Sequence, residues 1–241
     1  MSKFIDKLIL ASQGEKPMGF RAAATGASPK PGMLLVALVA TSAARTAGAD
    51  AVLFSVPKTG AKSPKLDVPW GGWLKAVTTS GVKQLGEGGA DFVVFPAESV
   101  SSAILEDDKL GKILEVEPGL DLGLLKAVDD LPVDAVLIAG EKPSLTWQDL
   151  MLFRRCASIS SKPLLVSVPS EVAASELQAL WQAGVVGVVV GAAKTAELRK
   201  IIDKLVPPLT GKVRKAEPLV PRISGDSRIK LGEEEEEEDE E

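Results

Sequence analysis

The sequence contains no histidine and no tyrosine, a single cysteine and four tryptophans, and aromatic residues make up only 4% of its 241 positions. Each absence removes a class of chemistry. Without imidazole there is no Ser-His-Asp or Cys-His nucleophile and no histidine-containing metal site. The lone Cys156 excludes an intrachain disulfide and a cysteine zinc cluster, so no metal site is expected. It falls within a helical pattern, which reads as a buried, inert thiol compatible with a reducing cytoplasm. No run of apolar residues approaches a membrane span. Residues 33–40, the longest early run, number eight, against the roughly 20 a bilayer demands. Residues 2–10 mix charges into their apolar face, so no secretory h-region is present. The expectation is a soluble, cytoplasmic chain with no membrane partner.

A strong excess of one charge is also lacking once the C-terminus is set aside. The formal net charge is −5, but residues 233–241 are all acidic, and residues 1–232 carry 28 basic against 24 acidic groups. That balance is too even, and too scattered, to argue for nucleic acid. Trp70, Trp73, Trp147 and Trp181 are likewise too dispersed for a base-stacking strip, and their expected use is core or lid packing.

What is abundant is aliphatic sequence: hydrophobic residues reach 45%, enough for one large core built on Val, Leu, Ile and Ala. Around residues 162–193 the run Pro163-Leu-Leu-Val-Ser-Val168 is followed by a helical pattern over 171–183, with Ser170 as the expected cap and Gly184 as the stop. The run Val185-Val-Gly-Val-Val-Val190 then follows. Strand, helix and strand within about 30 residues make a βαβ unit, and strands without polar alternation belong to a parallel sheet covered on both faces. The phrases Gly48-Ala-Asp50, Gly89-Ala-Asp91, Val133-Asp134 and Gly184-Val-Val recur ahead of apolar runs, each marking a helix end that turns into a buried strand.

Taken along the chain, eight strands are predicted: 18–23, 33–40, 50–56, 91–95, 112–117, 134–139, 163–168 and 185–190. Residues 4–9 form a short amphipathic helix that suits a plug under a barrel. Thr146 with Asp149 has the form of a capping box for a helix running to Ile159, and Thr195 is expected to cap the last helix. The fold class expected is α/β, a single (β/α)8 barrel over residues 1–211 whose first crossover helix is short or missing. Residues 41–49 read as a short helix and 58–72 as a Lys/Pro/Gly-rich insertion ending in Trp70-Gly-Gly-Trp73. Residues 212–241, six basic groups in 212–231 and then the acidic run, are expected to be a disordered tail.

In such a barrel chemistry belongs at the carboxyl ends of the strands. Glu115 and Glu117 lie two apart and so share a face, opposite Leu114 and Val116, which suit the helix layer. Both carboxylates are expected to face the lumen, with Glu117 near the mouth. Arg21, at the end of the first predicted strand, is the guanidinium expected to pair with Glu115, leaving Glu117 as acid or base. Lys58, Glu98, Glu141 and Lys142 follow strand ends and read as solvated loop charges. After the last strand, Gly191-Ala-Ala-Lys194 opens a helix whose free amides suit a phosphate.

On Gly184-Val-Val-Gly187-Val-Val-Val-Gly191 and the helix that begins at Thr195, the last third of the barrel resembles the phosphate-binding (β/α)8 enzymes, which include FMN-dependent oxidoreductases and the tryptophan-pathway barrels. The resemblance implies phosphate contacts from Gly191, Ala192, Ala193 and Lys194, and it admits FMN as a cofactor. One departure stands out: where those enzymes carry glycines after the seventh strand, this chain has Val168-Pro169-Ser170-Glu171. The function expected is an enzyme acting on, or binding, a small anionic or phosphorylated metabolite. The alternative is a non-catalytic barrel serving as a binding or scaffold protein through its acidic tail and the 58–72 insertion.

Overall fold

The computed structural model describes residues 2–13, 32–40, 46–55, 66–75, 77–98, 103–106, 109–140 and 144–208. Eight parallel strands follow one another around a closed barrel: β1 (Leu34–Val39), β2 (Ala51–Phe54), β3 (Trp70–Trp73), β4 (Phe92–Pro96), β5 (Gly111–Val116), β6 (Ala135–Ile138), β7 (Leu164–Ser167) and β8 (Gly187–Gly191). Closure is made by β8 against β1, with Val189 opposite Val36. The helices are α1 (Lys3–Ser12), α2 (Thr79–Glu87), α3 (Ala103–Glu106), α4 (Leu122–Ala127), α5 (Trp147–Ile159), α6 (Ala174–Gln182) and α7 (Thr195–Ile202). The chain is a (β/α)8 barrel. No described helix is long and apolar enough to cross a membrane.

Both faces of the strands are buried, which is why their sequences show no polar alternation. Val36, Leu53, Phe92, Ile113, Leu137, Leu165 and Val189 fill the lumen. The residues between them, such as Leu114, Val116, Val136, Ile138, Val166 and Val188, pack with α5, α6 and α7 in the outer core. Gly48, Gly89 and Gly184 have φ of 85°, 76° and 98°, a conformation that costs glycine nothing and other residues about 1–2 kcal/mol. They turn the chain from the outer layer into β2, β4 and β8. Aspartates of the recurring phrases lock the entries to β2 and β6: Asp50 accepts from the Leu35 amide at 2.9 Å and Asp134 from the Lys112 amide at 2.7 Å.

Asp91 has a different task. Its carboxylate accepts from Ser2 Oγ and from the amides of Lys3 and Phe4, at 2.7, 2.9 and 2.8 Å. A carboxylate at a helix N-terminus meets both unpaired amides and the positive end of the helix dipole. It holds α1 across the amino end of the barrel, where Phe4 and Leu8 are fully buried and the Phe4 ring lies 4.7 Å from that of Phe92. The plug expected from residues 4–9 is in place.

Several local expectations need correction. The predicted strand at 18–23 lies outside the described residues, and the barrel closes on eight strands without it; the remaining place in the sheet belongs to β3, which in the sequence has the look of an insertion's end. Two glycines are tolerated there because neighbours already occupy the space: a Cβ on Gly71 would lie 2.5 Å from the Phe92 ring and carbonyl, and one on Gly72 would lie 2.7 Å from Leu85. Of the helix expected over 41–49, residues 46–49 form a turn and the rest lie outside the described residues. Ser170 does not cap α6; Ala173 is the capping residue, its amide donating to Glu176 at 2.7 Å. Thr195 is the first residue of α7, after a 3-10 turn over Ala192–Lys194, and its hydroxyl donates back to the Ala192 carbonyl. The Thr146–Asp149 capping box is present, with both reciprocal bonds made.

Candidate functional site

The carboxyl ends of the strands form a mouth whose lumen side is set by strand parity. Glu115 lies on the same side of β5 as Ile113, opposite Leu137 of β6 and Pro96 of β4 in register. It is half-buried, and its Oε2 accepts a hydrogen bond from Trp73 Nε1 at 2.5 Å. A charge-assisted bond of that length fixes the carboxylate against the indole. Arg21, the partner expected for Glu115, lies outside the described residues. Trp73 fills the partner's role among those described. Glu117 stands exposed just past the end of β5, where its carbonyl accepts from the Leu120 amide at 3.1 Å.

Beyond Glu117 a small pocket opens between the ends of β5, β6 and β7 and the start of α5. Pro118, Ile138, Leu145, Phe153 and Val166 make its wall mostly apolar, with Ser144, Ser167 and Asp149 as its polar members. Ser167 shares the lumen side of β7 with Leu165, and Asp149 is 6% exposed, its Oδ2 held by the Thr146 amide and hydroxyl. Neither residue stands out as a site residue in the sequence. Ser167 had a signal, being the polar member of an otherwise aliphatic strand at the parity of Leu165. Asp149 was legible only as a cap, and Trp73 was hidden by the glycines beside it.

The predicted anion loop follows β8, three strands on from β5 and separated from it by β6 and β7. Gly191 ends β8, and the amides that open the turn at Ala192–Lys194 precede any possible intrahelical acceptor. Lys194 Nζ, however, is 3.3 Å from Glu171 Oε1, in a pair whose side chains are 41% and 86% exposed. Screened pairs of this kind contribute about 0–1 kcal/mol, so an anion competes with Glu171 for the ammonium at little cost. Ser170 closes on the same turn: a Cβ on Gly191 would lie 3.2 Å from its Oγ. Glu115 and Glu117 are therefore neighbours on one strand end, and Gly191, Ala192, Ala193 and Lys194 form a second group. Glu98 is exposed after β4, and Lys58, Glu141 and Lys142 lie outside the described residues. Among the described residues no cluster of three acidic, cysteine or histidine side chains is placed to hold a metal ion.

This architecture, a closed parallel barrel with its polar groups at the carboxyl mouth, defines the (β/α)8 class. Within it, the tryptophan synthase alpha-subunit is a structural likeness. Two mutant forms of that subunit from Pyrococcus furiosus match with TM-scores of 0.54 and 0.55 at 16% and 15% identity, covering 72% of this chain and 97% of theirs. Tryptophan synthase from M. tuberculosis in a ligand-free form matches with a TM-score of 0.50 at 16% identity, over 72% of this chain and 90% of that one. At such identity the likeness is one of fold. No family model and no curated protein sequence matches the chain.

Proposed function

We propose that the chain is a (β/α)8 enzyme that binds a small anionic metabolite at the carboxyl mouth of the barrel. The observation that carries this reading is the Trp73–Glu115 bond, which holds a half-buried carboxylate rigidly in the lumen mouth. Preorganised charge of this kind is worth most where water is excluded. Glu115 is the fixed partner that orients the substrate, and Glu117, one residue from the pocket wall at Pro118, is the acid or base. With no histidine in the chain, proton transfer falls to carboxylates or lysine. The amides of Gly191, Ala192 and Ala193 together with Lys194 hold the anionic end.

The same loops decide the fit of FMN, whose phosphate is held in barrels of this kind by the turns after the seventh and eighth strands. Pro169 has no amide to donate, and Glu171 sets a carboxylate beside Lys194. The β7 side of that donor set does not fit the group, and no step is derived through it. A smaller anion, bound by the β8 turn alone, is the better match. A second reading is the non-catalytic barrel acting as a scaffold through its acidic tail and 58–72 insertion, and the feature that speaks for it is Val168-Pro169-Ser170-Glu171 standing where phosphate-binding barrels carry glycines after the seventh strand.

Thermal shift with inorganic phosphate and small phosphorylated metabolites separates the two. A ligand at 100 times its Kd stabilises by about 2.7 kcal/mol, or about 5–11 °C for a domain of this size. The shift is expected to fall in Lys194→Met and to survive in Glu117→Gln, in which turnover is lost. A flat response to every anion would favour the scaffold.

A further inference from the structure

Trp147 was expected in a core or a lid, yet it is 81% exposed, and Met151 one turn on is 65% exposed. Leu124 on α4 is 59% exposed as well. These three lie at one end of a helix pair. Asp129, just past α4, accepts from Ser160 Oγ at 2.7 Å and from the Ser161 amide at 3.0 Å, just past α5. The two helices therefore run parallel, and Leu124 lies at the same, mouth-side end as Trp147 and Met151. Single exposed apolar residues need no explanation, but a tryptophan and a methionine one turn apart on α5, with a leucine at the same end of the parallel α4, mark a contact surface.

Below that apolar end, the same stripe of α5 becomes cationic, with Arg154 and Arg155 both exposed. Arg155 makes no ion pair among the described residues, and Arg154 makes only a long contact to the Gln182 carbonyl at 3.5 Å. The stripe is thus aromatic at one end and guanidinium at the other, with a flexible thioether between them. We infer that this face is the seat of a second copy of the chain, joined about a twofold axis through Met151. Laying α5 antiparallel on α5 about that point sets Trp147 against Arg155 of the second copy, Gln148 against Arg154 and Met151 against itself.

A twofold interface must be its own complement, and this register satisfies that condition. Each guanidinium meets an aromatic face or an amide rather than another guanidinium, and arginine over tryptophan is a favourable cation–π pair. Reversing the helix direction would bring arginine onto arginine. A contact built on one helix from each copy is expected at the small end of the range for specific interfaces, with a Kd on the order of micromolar.

The register makes a sharp test on the full chain. Helices packed 8–10 Å apart, with Cα atoms about 2.3 Å from each axis, bring facing Cα atoms to roughly 3.4–5.4 Å, the upper part of which is within disulfide reach. Met151→Cys is therefore expected to form a covalent dimer under mild oxidation. Ser158→Cys, about 21 Å from its symmetry mate along the axis at 1.5 Å per residue, is not. Cys156 is buried and stays out of the reaction. Sedimentation velocity of the unmodified chain should show concentration-dependent dimerisation that Trp147→Ala weakens more than tenfold, as loss of an interface tryptophan paired with an arginine does. Because Trp147 is exposed, that variant keeps its fold, which circular dichroism verifies. A chain that stays monomeric to about 200 µM, well above a micromolar Kd, overturns the inference. So does a dimer indifferent to Trp147→Ala, or cross-linking no faster in Met151→Cys than in Ser158→Cys.

Discussion

Replacing Gly71 by alanine probes the strand that the sequence concealed. A Cβ there would lie 2.5 Å from Phe92 Cδ2 and equally close to the Phe92 carbonyl oxygen. The ring can turn, but the carbonyl belongs to the adjacent strand, in register with Gly71 itself, so relief requires β3 and β4 to separate. Overpacking typically costs about 1–3 kcal/mol, and because backbone is involved the expectation is the upper end, about 3 kcal/mol. For a domain of this size that is a fall in Tm of about 6–12 °C. Gly72→Ala is the internal control. Its Cβ would meet the Leu85 methyl groups at 2.7 and 3.0 Å, the far end of a flexible side chain in α2, and about 1 kcal/mol should suffice to accommodate it. Urea unfolding followed by tryptophan fluorescence measures both, with the slope m expected to be unchanged. The opposing force is small: exchanging glycine for alanine stabilises by about 0.4–1 kcal/mol through the unfolded chain. If Gly71→Ala proves no more costly than Gly72→Ala, or is stabilising, Trp70–Trp73 is not the third strand at this register.

Two further outcomes follow from the packing and the charges. Phe4→Ala empties a fully buried site at the base of the lumen and should cost about 3–5 kcal/mol, or less if α1 detaches as a unit, which proteolysis within residues 3–12 at low protease would reveal. The Asp129 carboxyl is held below its ordinary value: burial pushes it up, but the Ser160 hydroxyl, the Ser161 amide and the charge of Lys162 together outweigh that. A depressed carboxyl contributes stability above its unfolded value, and this is lost as pH falls through the folded one. Asp129→Asn should therefore lower stability at neutral pH and flatten the acid limb of the stability–pH curve, the two proteins converging at the lowest pH.

The strands most legible in the sequence were those with neighbours of ordinary size. β4 to β8 are aliphatic runs buried on both faces, and their boundaries fell within two residues of those observed. β3 escaped because its neighbours supply the bulk: Phe92 on one side and Leu85 on the other leave room only for hydrogen atoms at Gly71 and Gly72, and a strand of glycines carries no hydrophobic signal. The same blindness hid the partner of Glu115. Parity placed Glu115 on the side away from Leu114 and Val116, but Trp73 is 42 residues upstream on the unrecognised strand. The shortage in the first crossover was legible between the runs at 18–23 and 33–40, where about ten residues are too few for a full helix; with 18–23 counted as the first strand, Trp70–Trp73 has no place in the expected sheet.

The arrangement at the base of the barrel also fixes an order of events during synthesis. Ser2 is anchored by an acceptor 89 residues downstream, and at about 5–20 residues per second that acceptor is made roughly 4–18 s later. For all that time the apolar side of α1, Phe4 with Ile5 and Leu8, lacks its anchor and the part of its packing surface that Phe92, Ile113 and Leu137 supply. Nascent chains stalled before residue 91 should consequently be strong clients of holdase chaperones, and chains released past β5 should shed them.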